Sequence, residues 1–333
     1  MSRLMVRADG VVEIVERADG KRSVTARPVD GSPLTCVTAY PVDLIERIVD
    51  VKGVAWVCDE IRRDEDLEQV QRSFTNDFLP YLTPDELSGK RILDFGCGAG
   101  ASTMVLARMF PRSEIVGVEL MAGHLDIARR RLEFYGYKNI TFRHSPDGTS
   151  LPDRLGQFDV IVMSAVFEHL LPGERTTVMP LLWAHLSDGG TLLLNQTPHR
   201  FFPFESHTTG LPLINYLPDR LALYCSRRFS KRSLGGESWE SLLRKGIRGA
   251  TEREILDSLG QCSPASKPAL LAPPRPRYRD RVDVWHAALG PRHRALKAVC
   301  REMLRAVERS LGTTWVVNLV VAISKGAPRG ARA

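Results

Sequence analysis

Short apolar runs separated by polar turns mark the middle of the chain. Residues 91–93, 115–118, 140–142, 158–166 and 191–194 are such runs and read as buried strands. Between them, 101–109 has the composition of a helix start, and 123–134 carries Leu125, Ala128 and Leu132 on one face of a basic helix. Before this block the pattern differs. Residues 11–16 and 23–26 read as a hairpin about Ala18-Asp19-Gly20. Residues 41–52 predict a helix with Val42, Ile45 and Ile48 inward, and 64–79 predict a second that ends before Pro80. After the block, 195–249 is long and rich in aromatics and prolines. A link of that length inside a compact domain carries function or structure of its own. Residues 263–278, broken by prolines 264, 268, 273, 274 and 276, predict an extended segment. The clearest helix is 294–311, with Leu296, Val299, Cys300, Met303, Leu304, Val307 and Leu311 on one stripe. That stripe is expected to pack on the sheet. Residues 316–324 predict a last strand returning to the sheet.

The chemistry sits at the ends of the predicted strands. Asp94-Phe95-Gly96-Cys97-Gly98-Ala99-Gly100 follows the first run and precedes a helix. Strand, glycine turn and helix bring backbone N–H groups close to a ligand. The turn has an acid before its first glycine and no lysine after its last, the reverse of a phosphate cradle. It suits a ligand with a cationic part and a nucleoside part, such as S-adenosylmethionine. The spacing of Gly96, Gly98 and Ala101 also fits the relaxed dinucleotide pattern. Glu119 ends the second run, 25 residues after Asp94, where a carboxylate accepts from two ribose hydroxyls. Either ligand offers those hydroxyls.

The later strands separate the two readings. Ile140–His144 leads into Ser145-Pro146-Asp147-Gly148, and the run from Phe158 leads into Phe167-Glu168-His169-Leu170. Ser187-Asp188-Gly189-Gly190 then turns into the fifth run. This ordered set, over residues 88–200, resembles the class I S-adenosylmethionine-dependent methyltransferases. The resemblance implies an α/β fold: a doubly wound Rossmann-like sheet with an N-terminal extension and an inserted lid after strand five. It divides the chain into an extension (1–87) that covers cofactor or acceptor, a cofactor-binding core (88–195), a substrate lid (196–249) and a C-terminal completion of the core (250–333).

The resemblance also assigns roles. Asp94, Gly96, Gly98, Gly100, Glu119, Asp147 and Gly148 would hold the cofactor, S-adenosyl-L-methionine. Asp147 would accept from the adenine amino group. His169 would be the general base for a hydroxyl acceptor, with His207 in the lid as a second catalytic candidate beside His199 and Glu205. In some relatives such a Glu–His pair packs on the cofactor or takes part in metal binding. With only two potential ligands adjacent, no metal is expected. Tyr40, Trp56 and Tyr81 are aromatic candidates for the cover. The reaction implied is methyl transfer to a small molecule or a lipid- or sugar-linked intermediate, at oxygen. An RNA or protein acceptor, or a non-catalytic cofactor-binding regulator, is the alternative.

Charge and cysteines refine this picture. Residues 199–333 hold 24 Lys and Arg against 11 Asp and Glu, while 1–198 hold 22 against 28. An acidic core with a basic C-terminal part fits an anionic acceptor, peripheral membrane contact or simply a solvated surface. No recognition module for nucleic acid is visible. The six cysteines show no paired or metal-ligand spacing, Cys97 filling a turn position, and the first ten residues lack an apolar signal core. The expectation is a cytoplasmic protein with reduced thiols and no membrane span.

Overall fold

The computed structural model describes residues 2–260, 267–274, 277–289 and 294–326. Cys262, Pro264 and Pro276 lie outside them.

The expected hairpin is the centre of a four-stranded antiparallel sheet of Ser2–Arg7, Gly10–Glu16, Arg22–Pro28 and Leu34–Thr38. Val12 pairs with Ala26 and Ile14 with Val24, and all four face inward. Period-two alternation thus gives one buried face. The helix Val42–Lys52 covers that face with Leu44, Ile45, Ile48 and Val49. Of the expected helix over 64–79, Val70–Asp77 forms, and a separate helix, Val57–Glu65, precedes it. Only Val70–Asp77 is legible in the sequence. Val57–Glu65 was hidden because two of its core-facing positions are acids, Glu60 and Asp64, which interrupt the apolar stripe. Their partner is Arg131, buried on the helix Ala122–Tyr135.

The central sheet has seven strands. In spatial order they are Pro268–Leu270, Asn318–Lys325, Leu186–Pro198, Phe158–Ser164, Arg91–Phe95, Glu114–Glu119 and Ile140–His144. Pairing is parallel from Leu186–Pro198 through Ile140–His144, and Asn318–Lys325 runs antiparallel beside Leu186–Pro198. Apolar clusters cover both faces of the sheet, as a doubly wound fold requires. The chain leaves Arg91–Phe95 toward one edge and returns at Phe158–Ser164 on its other side. Ligands sit at such a reversal, outside the carboxyl ends of the strands.

Residues 196–249 form a unit with its own small core of Ile214, Ala222, Leu234, Leu242 and Ile247. Its helices are Asp219–Phe229 and Trp239–Arg244. Buried Arg248 ties it together, donating to the Asn215 and Leu217 carbonyls and to Asp219.

One expectation fails here. The helix Arg294–Leu311 does not bury the whole expected stripe: Leu296, Val299 and Met303 are 64%, 59% and 64% exposed. Among the described side chains its buried residue is Arg305, which pairs with Asp280, Asp283 and Glu302. Ion pairing turned the helix by its basic side. The proline-rich segment is extended at Pro268–Leu270, as expected, and forms the sheet-edge strand there, a place that tolerates proline. Among the described residues, no helix is long and apolar enough to cross a membrane.

Candidate active site

A cleft of about 720 Å³ opens at the strand reversal, within the usual size of small-ligand sites. Gly96, Gly98, Glu119, Asp147, Gly148, His169 and His207 all line it. Seven positions spread over more than a hundred residues thus meet at the carboxyl end of the sheet.

The glycine turn divides its labour. Gly96 and Gly98 have φ of 71° and 55°, conformations that favour glycine. A Cβ on Gly96 would lie 2.6 Å from Val166 Cγ2, whereas one on Gly98 would meet nothing within 4 Å. Gly98 is therefore the point where a ligand can approach bare backbone. Gly100 does not line the cleft. A Cβ there would lie 2.7 Å from the Ala128 side chain, so this glycine lets two helices pack.

Asp94 is also placed differently from its expected cofactor contact. It is buried beneath the turn, off the cleft, and its Oδ2 accepts from Ser102 and Thr103 hydroxyls, each at 2.7 Å. Burial pushes its carboxyl up to about 6 despite those two donors. Asp94 fixes the turn to the helix Ala101–Met109.

Glu119 borders the cleft from the tip of its strand. Its two oxygens accept from the backbone N–H of Gly98 at 2.9 Å and of Met121 at 2.8 Å. Burial alone would raise its carboxyl, but the hydrogen bonds from His124 and these amides hold it below the usual range. It is an anion at neutral pH. Asp147 closes an Asx turn by accepting from Thr149 N–H and Oγ1, both at 2.8 Å, and those donors lower its carboxyl. Gly148 lies against Glu174: a Cβ would come 2.6 Å from that carboxylate.

In the same cleft His169 and His207 face each other, ring centroids 5.4 Å apart. His169 Nδ1 lies 2.7 Å from the Arg244 carbonyl. Burial lowers the His207 imidazole, and His169 adds to this. Glu168 is buried behind the pair, where burial raises its carboxyl. His199 and Glu205 are placed elsewhere. His199 is buried, with Nε2 3.2 Å from the Thr313 hydroxyl, and Glu205 accepts from the backbone of Thr208 and Thr209.

Tyr40, Trp56 and Tyr81 do not line the cleft. Tyr40 and Tyr81 are core, and Trp56 is exposed. The N-terminal extension instead contributes Lys52, Glu60, Arg63 and Val70. Sequence reasoning also missed Ala165 and Gln196. Both are non-glycine residues at positive φ, 54° and 60°, directly after the strands Phe158–Ser164 and within Leu186–Pro198. Such backbone strain clusters at functional sites. Its one signal in the sequence was position at a strand end.

Residues 92–190 match a family described as "Methyltransferase domain". The malonyl-[acyl-carrier protein] O-methyltransferase of Bacillus cereus is 35% identical over 136 residues, 40% of this chain and 48% of the relative. The demethylmenaquinone methyltransferase of Lactococcus lactis is 28% identical over 175 residues, 52% of this chain and 65% of the relative. The chain thus spans about half to two thirds of the length of these two relatives. Among solved structures, PKMT2 from Rickettsia typhi aligns with 76% of the chain and 52% of its own, at 15% identity and a TM-score of 0.45. Residues 92–190 hold the glycine turn, the first four strands of the central sheet and the start of the fifth, and over them the chain is similar to the methyltransferase domain family and to these two methyltransferases.

Proposed function

We propose that the protein transfers a methyl group from S-adenosylmethionine to a hydroxyl oxygen of a small molecule or a lipid- or sugar-linked intermediate. The observation that carries this is the mixed lining of one cleft. It brings the open backbone at Gly98, the Glu119 anion and the Asp147-Gly148 turn together with the His169–His207 pair, whose second member comes from the inserted segment. In this reading Glu119 exchanges its amide contacts for the ribose hydroxyls, and Arg63 and Lys52 supply positive charge for the cofactor's carboxylate. The donor is already activated, so the protein aligns acceptor oxygen, methyl carbon and sulfur and excludes water. The S–C bond breaks as the O–C bond forms, the sulfonium becomes a neutral thioether, and the acceptor hydroxyl gives up its proton.

An oxygen acceptor accords with two relatives whose names specify it, the malonyl-[acyl-carrier protein] enzyme and a ubiquinone biosynthesis O-methyltransferase. A lipid-linked acceptor is favoured by the lid's outer surface. Leu213, Tyr216, Leu221, Tyr224 and Phe229 are exposed there among Arg220, Arg227, Arg228 and Lys231. Apolar side chains ringed by cations suit an anionic membrane surface. The deciding experiment incubates the protein with methyl-labelled S-adenosylmethionine and metabolite or lipid extracts. Label in an O-methyl product is expected. Label in protein or RNA, or cofactor binding with no turnover over all extracts, would overturn the proposal. An anionic acceptor would further show a Michaelis constant that rises with salt.

A further inference from the structure

The Glu168 side chain is fully shielded from solvent, yet only one of its oxygens is bonded. Oε2 accepts from the Thr197 hydroxyl at 2.8 Å, while Oε1 has no hydrogen-bond partner. A carboxylate oxygen in a dry interior is unfavourable unless a proton or a cation meets it. Two guanidiniums of this region are engaged elsewhere. Arg175 donates to the carbonyls of Glu168, Leu170 and Gly249, and Arg244 pairs with Glu174.

What Oε1 faces is a pair of imidazoles. His169 Nε2 lies 3.8 Å away, and one ligand atom each of Glu168, His169 and His207 fall within 4.8 Å of one another. His169 Nδ1 lies against the Arg244 carbonyl, so that nitrogen carries the hydrogen and Nε2 keeps its lone pair. Metal-bound histidines are held in this way, by a carbonyl on the far nitrogen. Gly246 makes the convergence sterically available. A Cβ there would lie 3.1 Å from both Glu168 Cγ and His207 Nε2. The third ligand comes from the inserted segment, 38 residues after His169, which is why adjacency in the sequence did not disclose it.

We infer that Glu168, His169 and His207 bind one divalent first-row transition ion at the cleft, and that the accepting hydroxyl takes one of its open coordination positions. This rests on the methyltransferase reading for its role, though not for the site. Two nitrogens and one carboxylate suit zinc, manganese, iron or cobalt rather than magnesium or calcium. Ligand atoms about 2.1 Å from an ion stand roughly 3.0–3.4 Å apart, so the 3.8 Å pair must close by roughly half an ångström. Coordination acidifies the hydroxyl. Its proton leaves to water, its oxygen lone pair forms the new O–C bond, and the S–C electron pair returns to sulfur. The histidine nitrogens then serve as ligands instead of free bases.

The test is a Co²⁺ titration of tag-free, chelator-stripped protein, read by visible absorption, with Zn²⁺ as competitor. S-adenosylhomocysteine affinity is measured alongside by calorimetry. One Co²⁺ per chain is expected, displaced by Zn²⁺. His207→Ala and Glu168→Gln should each weaken Co²⁺ at least about 100-fold while retaining S-adenosylhomocysteine affinity, which shows both variants folded. No stoichiometric Co²⁺ in the wild type, or unchanged Co²⁺ affinity in His207→Ala, overturns the site and leaves the methyltransferase reading standing. Stoichiometric Co²⁺ with no S-adenosylhomocysteine binding supports the site and overturns that reading instead.

Discussion

Arg131→Met tests how the N-terminal extension is held over the cleft. The Arg131 side chain is fully buried. Its Nε donates to Tyr40 Oη at 3.0 Å and its Nη1 to Glu60 Oε1 at 2.8 Å and to the Ala99 carbonyl at 2.7 Å. Nη2 donates to the Glu60 carbonyl at 2.6 Å and lies 3.4 Å from Asp64. One guanidinium thus joins the helix Val57–Glu65 and Tyr40 of the extension to the glycine turn. Methionine leaves Asp64 buried without its cation and Glu60 with only Lys52 at 3.6 Å, which costs about 3–5 kcal/mol. At about 2 °C per kcal/mol for a chain of this length, the melting temperature should fall by about 6–10 °C. Loss of the Ala99 contact should also weaken S-adenosylhomocysteine by roughly two- to tenfold, the worth of one net hydrogen bond. The pH dependence has a definite sign. Burial alone would raise the Glu60 carboxyl, but Arg131 and Lys52 hold it below its ordinary value. This part of the stability is therefore present above the unfolded value of about 4.3 and lost as pH falls through the folded one. The gap between wild type and variant should narrow on acidification. Thermal melts across pH, with calorimetry at neutral pH, measure all three effects. A variant that melts within about 2 °C of wild type at neutral pH, with unchanged affinity, would refute the coupling.

Glu119→Ala should weaken S-adenosylhomocysteine by about ten- to hundredfold, the loss of a charge-assisted contact. Calorimetry showing equal affinity would remove Glu119 from the ribose. Asp94→Asn should gain on wild type between pH 4 and 7. The folded carboxyl is raised from 3.8 to about 6, so wild-type stability is full below the lower value and declines as pH rises through the higher, by about 3 kcal/mol. Urea melts at both pH values read this, and a constant difference would contradict it. Gly96→Ala should lose cofactor binding, since its Cβ would meet Val166 in a left-handed conformation, and an S-adenosylhomocysteine titration of a folded variant decides it. Replacing Leu221 and Tyr224 by glutamate should abolish sedimentation with anionic vesicles at low salt. Vesicles that fail to bind even the wild type would sink the membrane-facing lid.

The core of the fold was legible because its signals are local. An apolar run, a glycine turn and a carboxylate at a strand tip lie within a few residues of each other, so Gly98, Glu119 and the Asp147-Gly148 turn could be read directly, and the structure lines the cleft with them. Three features could not be read, because each depends on charge or packing partners that the local pattern does not show. The helix Val57–Glu65 looked polar until Arg131 met Glu60 and Asp64 across 71 and 67 residues. The helix Arg294–Leu311 showed an apolar stripe, yet Arg305 found Asp280 and Asp283 and kept part of that stripe in solvent. Asp94 and Gly100 had the spacing of ligand contacts but serve the turn and the helix packing behind it. Hydrophobic periodicity fixes which face of an element is dry only when no buried ion pair competes. The histidine pair shows the same limit at the site itself. His169 and His207 are separately plausible in the sequence, and only the path of the inserted segment brings them together beside the unpaired Glu168 oxygen.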